Sequence, residues 1–484
     1  MTMWHNAPRL VWLWTDAAIW LMAAALLGYA VAVARSPVLR NSWRKVRGDA
    51  AALSATVVLV ACLLITLADS IHYRLRLSSA PGAAAAYDTR TQSLLDAALS
   101  GLIASREVTY SRPLAVESFT KESVTAHGVT SRVAPRLKHG GAHLADPARQ
   151  WGADVLTRVL QGLVGGGLAS AVVGVAMAAA GARRQGVSWA DAARRGWRGE
   201  GAVPWRAAWL TFSVLALLAG VAAALSGGYH VLGTDTTGND VLYQSLKSIR
   251  TAFVIGSLAT VATLPLAVGL GVMAGYFGGW VDELIQYVYT VLSSVPNVLL
   301  IAACVLMVQV FLDQHPDLFE TAAERSDLKL FLLCVVLGVT GWAGLCRLLR
   351  GEVLKLRELD YVQAAAAFGV GPARIMLRHL LPNVAHLVLI VTVLDFSSLI
   401  LYEAVLSYVG VGVDPSMNSF GGMINLARKE MSRDPVVWWS FASAFGFMVT
   451  IVLAANLFAD GVRDAFDPRA RRFRPRGRSK GASC

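Results

Sequence analysis

Two carboxylic acids lie in a long apolar segment of this sequence, where ionisable side chains are rare. Asp395 and Glu403 both fall in the segment 384–409. On a helix they would be about 12 Å apart along the axis, on the same half of it. Acids in such segments line a water-filled path or pair with a neighbouring helix or subunit, and the sequence leaves both readings open.

Covalent chemistry is not indicated by any motif. The sequence has no G-x-x-x-x-G-K-[ST] loop for phosphates, no H-E-x-x-H, no G-x-S-x-G and no paired His/Cys spacing for a metal. His379 is expected to be a structural or interface residue. We therefore predict no catalytic residue, no metal site and no cofactor on this chain, so any ATP and Mg²⁺ would be bound by a partner.

The elements that would hold the two acids are apolar segments long enough to span a membrane, which takes about 20 residues. Pro296 lies within the sixth segment, where neighbouring helices can tolerate it. Asp16, in the first, is expected near the outer interface with no special role. The predicted fold class is all-α, a polytopic integral membrane protein with about nine transmembrane helices. The predicted spans are 10–34, 51–69, 153–181, 207–226, 253–275, 284–311, 330–349, 384–409 and 436–459.

Composition supports lipid as a partner and argues against a soluble protein. The 484 residues are 55% hydrophobic and only 16% charged, with a mean hydropathy of +0.51. The net charge of +12 could suit a nucleic-acid binder, but the basic residues cluster between apolar runs and in the tail, and no recognition motif for nucleic acid is present. Four of the five cysteines lie in or beside apolar runs, so no disulfide framework is expected.

Basic loops predict the orientation in the membrane. Four segments rich in Arg and Lys fall on one side of a nine-span chain, and this side is predicted to be cytoplasmic. The acidic loop 313–327 and the long polar segment 70–152 fall on the other side. The N-terminus is predicted to lie outside, as a retained span, and the C-terminus inside. The basic segments are 35–50, 182–206, 347–383 and 461–484.

The segment 358–383 predicts a compact knob on the cytoplasmic side. Ala-rich sequence before Gly369 favours one short helix, and Pro372 favours the start of a second one. Pro382 is expected to end the segment. The small side chains of 364–367 would let another protein approach closely, although an amphipathic hairpin with no partner fits equally well.

This segment resembles the cytoplasmic loop of binding-protein-dependent ABC transporter permeases. The family pattern E-A-A-x-x-x-G, nine residues, I-x-L-P has its spacing here, with Gln363 in place of Glu. Gln keeps the hydrogen bonding but loses the charge. The run R-H-L-L-P-N at 378–383 is similar to the peptide-type subfamily. The resemblance implies that an ATPase docks on the knob through Asp360, Gln363, Ala364, Ala365, Gly369, Arg378, His379, Leu381 and Pro382.

Two further segments resemble the second permease of peptide systems, which is C-subunit-like. LGTDTTGND at 232–240 is similar to the G-T-D-x-x-G-R-D signature, with Asn239 in place of Arg. LYEAVLSYVGVGVDPSMNSFGG at 401–422 is similar to the E-A-x-L-S-F-L-G-L-G…S-W-G segment, which implies a structural or gating role for Glu403. The outer signature residues are Gly233, Thr234, Asp235, Gly238 and Asp240.

The resemblance implies an architecture and a set of partners. Residues 207–467 would be the six-span permease core, 1–206 an N-terminal extension with three spans and the outer loop 70–152, and 468–484 a basic cytoplasmic tail. The implied partners are a homologous second permease, two ATPase subunits and an extracytoplasmic solute-binding protein, in a bacterial inner membrane. The implied solutes are peptides or similar small molecules.

Two alternative functions remain from the residues alone. A secondary transporter or channel without an ATPase would carry coupling charges at the membrane midplane and inverted repeats. A membrane enzyme or an assembly protein would place its active groups in 70–152, where His127, His139 and His143 have no spacing typical of a site.

Overall fold

The chain folds mainly into helices in the computed structural model, which describes residues 9–77, 86–126, 129–198 and 203–466. The predicted tail 468–484 lies outside the described residues, as does His127. The predicted fold class is confirmed.

The helices of the first half are α1 (Trp14–Arg35), α2 (Pro37–Gly48), α3 (Ala50–Asp69), α4 (Leu94–Ala98), α5 (Ser100–Ala104), α6 (Pro147–Gln185), α7 (Trp189–Arg198), α8 (Trp205–Ser226) and α9 (Val241–Val254). Those of the second half are α10 (Thr260–Phe277), α11 (Gly279–Ser294), α12 (Asn297–Gln314), α13 (Ala322–Gly341), α14 (Ala343–Arg357), α15 (Asp360–Ala367), α16 (Pro372–Ile375), α17 (Leu381–Val409), α18 (Phe420–Glu430) and α19 (Trp439–Phe466).

Short strands appear only in the N-terminal half of the described chain. β1 (Arg9–Val11), β2 (His72–Arg74) and β3 (Gln92–Ser93) form an antiparallel sheet in which Leu10 pairs with Tyr73. β4 (Glu122–Ala126) and β5 (Val129–Val133) form a separate antiparallel pair. The polar segment 70–152 therefore holds small sheets and the one-turn helices α4 and α5.

The predicted number of spans agrees with the structure. Among the described residues, eight helices are long and apolar enough to cross a membrane, and the pair α13 and α14, bent by 41°, makes a ninth candidate. Two of the eight are continuous through a π-helical turn: α9 with α10, and α16 with α17.

The sixth predicted span is wrong as a single helix. α11 ends at Ser294 and α12 begins at Asn297, with Val295 extended at φ −89° and ψ 134°. Proline has no N–H to donate and disfavours a helical conformation of the preceding residue. Pro296 therefore breaks this span.

Packing does not follow the predicted boundary at residue 206. α3 packs against α19 and α9, whereas α8 packs mainly against α6 and then against α3. Two glycines of α6 allow the close approach of α8: a Cβ on Gly162 would lie 2.5 Å from the Cα of Val221, and a Cβ on Gly166 would lie 2.5 Å from the carbonyl oxygen of Ala216. The domain boundary at residue 206 stays a prediction from the sequence. In the fold, α6 and α8 form a helical hairpin that packs against the other helices through α3.

Buried ions join the first helix to the later ones. Asp16 is only 1% exposed and accepts a hydrogen bond of 2.6 Å from the Arg250 guanidinium, which also lies 3.4 Å from Asp327. His72 lies 2.7 Å from the second oxygen of Asp16. The expectation that Asp16 needs no special role is wrong, because a buried carboxylate is stable only when it is paired.

Candidate functional site

The knob predicted at 358–383 is anchored by two buried residues, one from each of its two short helices. Val362 in α15 and Ile375 in α16 are buried in one hydrophobic cluster with Leu349 and Val353 of α14. Between them the chain turns at Gly369, which has φ +76°. This left-handed conformation suits glycine and strains other residues. The anchors hold the knob in place while its tip stays free.

The tip of the knob is exposed and mostly small. Gln363 and Ala364 are exposed, and Ala365 is half-buried. Gln363 Nε2 donates to the Glu358 carbonyl at 3.2 Å, so its amide is partly engaged within the knob. Phe368 is 89% exposed, and the sequence pattern did not single it out. An aromatic side chain exposed to this degree beside a run of alanines is suited to insert into a partner.

The second half of the knob differs from its prediction. Pro382 does not end the segment, because α16 continues through the π-helical turn Met376–Leu380 into α17. Pro382 stands just after this π-helical turn, inside the continuous helix, where its missing N–H leaves a carbonyl of the preceding turn without its usual donor. The knob is therefore α15, a turn, and the first turns of a membrane-spanning helix.

The remaining predicted residues of the knob lie around this junction. Arg378 and Pro382 are exposed, whereas His379 and Leu381 are half-buried. The ring centroid of His379 lies 6.3 Å from that of Tyr361, so His379 packs against α15. Asp360 is exposed in the first turn of α15, where a carboxylate favours the helix dipole.

The outer signature 233–240 is a structural turn at the start of α9. Asp240 caps α9 by accepting from the backbone N–H of Leu242 at 2.8 Å. Asp235 accepts from the N–H groups of Thr237 and Asn239 at 2.8 and 2.9 Å. Gly233 and Gly238 both have positive φ, +75° and +76°.

The outer loop covers this signature turn. The Ser111 N–H donates to the Thr234 hydroxyl at 2.7 Å, and the Glu107 N–H donates to the Gly238 carbonyl at 2.9 Å. A Cβ on Gly238 would lie 1.9 Å from the Glu107 carbonyl oxygen, so only glycine fits there. Thr234 and Asp240 are buried, and they position the outer loop.

A cluster of three charged residues links the outer loop to the signature turn 233–240. His230 Nδ1 lies 2.8 Å from Asp240, and His230 Nε2 lies 3.5 Å from Glu107. Burial alone would lower the pKa of His230, but its contacts with Asp240 and Glu107 raise it to about 9. Burial alone would raise the pKa of Glu107, but His230 and the N–H groups at 138–140 lower it to about 2. We call Glu107, His230 and Asp240 the outer clasp.

The two acids of α17 have different surroundings. Glu403 is 2% exposed and accepts a hydrogen bond of 2.6 Å from the Ser407 hydroxyl. It also contacts Ser419 and the Gly421 N–H at the start of α18, so it stabilises the N-terminal end of that helix. Asp395 is half-buried and makes no hydrogen bond or ion pair within the described residues.

Comparisons of this chain with a family model and with individual proteins point to the same family. The model of the "binding-protein-dependent transport system inner membrane component" matches residues 267–472. The oligopeptide transport system permease protein OppC of Mycobacterium bovis is 33% identical over 248 residues, which cover 51% of this chain and 79% of that protein. This chain belongs to the family of binding-protein-dependent transport permeases.

Other permeases show the same degree of similarity. OppC of Haemophilus influenzae is 31% identical over 250 residues, covering 52% of this chain and 74% of that protein. A structure of the MetNI methionine ABC transporter, in an inward-facing conformation, aligns with 47% of this chain and 94% of that chain at 16% identity and a TM-score of 0.32. The permease is a multi-pass membrane protein.

Proposed function

We propose that this permease forms half of the membrane path of an ATP-driven importer for peptides. The observation that carries the proposal is the similarity to oligopeptide permeases over about half of the chain. The dipeptide permease DppC of Lactococcus lactis, 31% identical over 243 residues, adds support for peptides as the solute class. A homologous second permease would form the other half of the path.

The knob is proposed as the docking site of a separate ATPase, which binds the ATP and Mg²⁺. Its support is an exposed tip held by buried anchors at Val362 and Ile375. The tip directs Phe368 away from the chain, next to the alanines that permit close approach. Movement of an ATPase bound here would be transmitted directly to α17, because α16 continues into that helix.

The topology follows from this proposal. An ATPase works in the cytoplasm, so the knob, the basic segments and the C-terminus would lie inside and the outer clasp outside. A solute-binding protein would then approach the side that carries the segment 70–152. We infer that this segment, packed over the signature turn, contributes to that docking surface.

The test is association with the ATPase after changes at the tip. Ala365→Glu places a charge in a tight contact, and Phe368→Ser removes the exposed aromatic ring. Both variants should keep normal membrane levels but lose the co-purifying ATPase and peptide uptake. Gln363→Glu should retain both. The control Asn41→Glu adds a charge at an exposed position of α2 and should have no effect.

The opposite result would refute the docking site. If Ala365→Glu and Phe368→Ser keep full ATPase binding and uptake, the ATPase docks elsewhere. If no ATPase co-purifies with the unaltered permease and uptake is independent of ATP, the whole proposed function is wrong.

A further inference from the structure

A polar stripe runs along one side of the otherwise apolar helix α17. Asp395, Ser398 and Tyr402 are spaced i, i+3 and i+7, which places them on one face of the helix. Asp395 is the middle residue of this 29-residue helix, about 21 Å from either end. The continuous helix extends further, to Pro372, but Asp395 is also central in its apolar segment 384–409, which corresponds to the middle of a bilayer.

The face that carries the stripe is only partly packed within the described chain: Asp395 is half-buried, Ser398 is exposed, and Tyr402 packs with its hydroxyl buried. Phe396 contacts Gly256, and Ser397 donates to Asn456 at 2.6 Å, so the neighbouring positions of α17 are turned into the helix packing. Ser398 is exposed, as is Leu401 on the same side. Asp395 lies at the edge of this exposed side.

The break in the sixth span lies beside the same stripe. Tyr402 is near Asn297, the first residue after the break at Pro296. Its hydroxyl is buried, and the Asn297 side chain is the polar group beside it. The residues 293–297 around the break are all exposed. The break lies at the start of the candidate span Asn297–Gln314, and exposed irregular backbone next to a span suits water or another protein better than lipid.

These observations distinguish the two acids of α17. Glu403 is enclosed and satisfied by Ser407 and the start of α18. Asp395 has no partner in the described chain, yet an ionised carboxylate at the bilayer centre needs one. The partner must therefore come from outside the described chain, on the side of α17 where Ser398 and Leu401 are exposed.

We propose that Asp395 binds a positively charged group of the solute, a protonated amine or a guanidinium, halfway through the membrane. Ser398 extends the polar surface next to Asp395 on the exposed side of the helix. This inference rests on the proposed function and adds a solute class to it: peptides with an accessible cation. Peptides without a cationic group would pass through the permease without contacting Asp395.

The experiment compares Asp395→Asn with the unaltered permease in the complete transporter. The probes are trilysine, trialanine and N-acetyl-trialanine, which has no ammonium group. A hydrogen bond to a charged group is worth roughly a factor of ten or more in affinity. Asp395→Asn should lower trilysine and trialanine uptake about ten-fold and leave N-acetyl-trialanine uptake unchanged, whereas Asp395→Glu should retain all three.

The experiment distinguishes an effect of the permease on uptake from an effect of the binding protein. The same binding protein serves every variant, so the ratio of variant to unaltered uptake for each probe isolates the effect of Asp395. Ser397→Ala, on the packed side of α17, is the control and should change all probes by the same factor.

Three results would overturn the inference. A uniform loss of all three probes in Asp395→Asn would show that the carboxylate is structural. Loss of the second permease from the purified Asn variant would show that Asp395 pairs with that subunit. Failure of the unaltered transporter to take up any of the three peptides would refute the proposed function, and the inference with it.

Discussion

Neutralising the outer clasp should loosen the outer loop in a way that depends on pH. The perturbation is His230→Gln, which keeps a polar side chain of similar size but removes the imidazolium between Glu107 and Asp240. His230 is 2% exposed, so its charge is little screened by solvent. The variant leaves two buried carboxylates without the cation that they share.

The magnitude follows from the pKa of His230. A rise from the ordinary value of 6.5 to about 9 corresponds to about 3 kcal/mol in favour of the closed clasp. Because the pKa is raised by closure, this contribution is complete below about pH 6.5 and is lost as the pH rises through about 9. The lowered pKa of Glu107, about 2, means that its contribution is present above its ordinary value of 4.5 and is lost only as the pH falls through about 2.

Amide hydrogen exchange measures the opening of the clasp. The N–H groups of Lys138, His139 and Gly140 donate to the Glu107 carboxylate at 2.7 to 3.0 Å. In His230→Gln their protection should fall on the order of 100-fold at pH 6, and only a few-fold at pH 8.5. Taking the ratio to the unaltered protein at each pH removes the intrinsic pH dependence of exchange.

A matched control and a refuting result are available. His143→Gln removes an exposed histidine that lies 2.9 Å from Asp154, and exposed pairs contribute little. Its protection factors should stay near those of the unaltered protein. If His230→Gln lowers protection equally at pH 6 and pH 8.5, the effect is one of packing and the charged clasp is refuted.

Two further changes test how the N-terminal half is attached. Asp16→Asn leaves the buried Arg250 with weaker partners and should lower the free energy of unfolding by about 3 kcal/mol or more, measured as a fall in Tm in detergent, while the exposed Asp317→Asn should not change it. Gly162→Val forces a Cβ to within 2.5 Å of the α8 backbone and should separate α6 from α8, detected as loss of cross-linking between cysteines placed on the two helices; Gly165→Val, where a Cβ meets nothing within 4 Å, should preserve it.

The spans could be predicted from the sequence because lipid imposes a simple rule of length and hydropathy. The same rule failed at Pro296. A proline inside a span can be accommodated or can break the helix, and the outcome depends on what its neighbours supply. Here Val295 is exposed, and the local sequence alone did not distinguish the two outcomes.

The sequence predicted where the knob lies in the chain but not the details of its structure. Motif spacing located Gly369, and its positive φ gives that glycine a physical reason. The motif carried no information about Phe368, whose exposure depends on how Val362 and Ile375 are anchored. Similarly, Pro382 was expected to end the segment 358–383, whereas the helix continues past it through the π-helical turn Met376–Leu380.

The partners of buried charges were the least predictable feature. Asp16 and Arg250 are 234 positions apart in the chain, and nothing local to either residue identifies the other. The same holds for Glu107 and His230, which the sequence places in separate predicted domains. Burial makes partners necessary for such charges, but the burial itself became visible only in the fold.

α3 packs directly against α9, so the long stretch of chain between these two helices is inserted between two elements that are neighbours in the fold. Asp69, at the end of α3, lies 3.2 Å from Lys247 in α9, and Ser70 accepts a hydrogen bond from Arg250 at 3.4 Å. The chain thus leaves and re-enters the helix bundle at one point on its rim. Residues between these two helices can therefore lengthen, shorten or carry a hairpin such as α6 and α8 while the packing of α3 on α9 is kept.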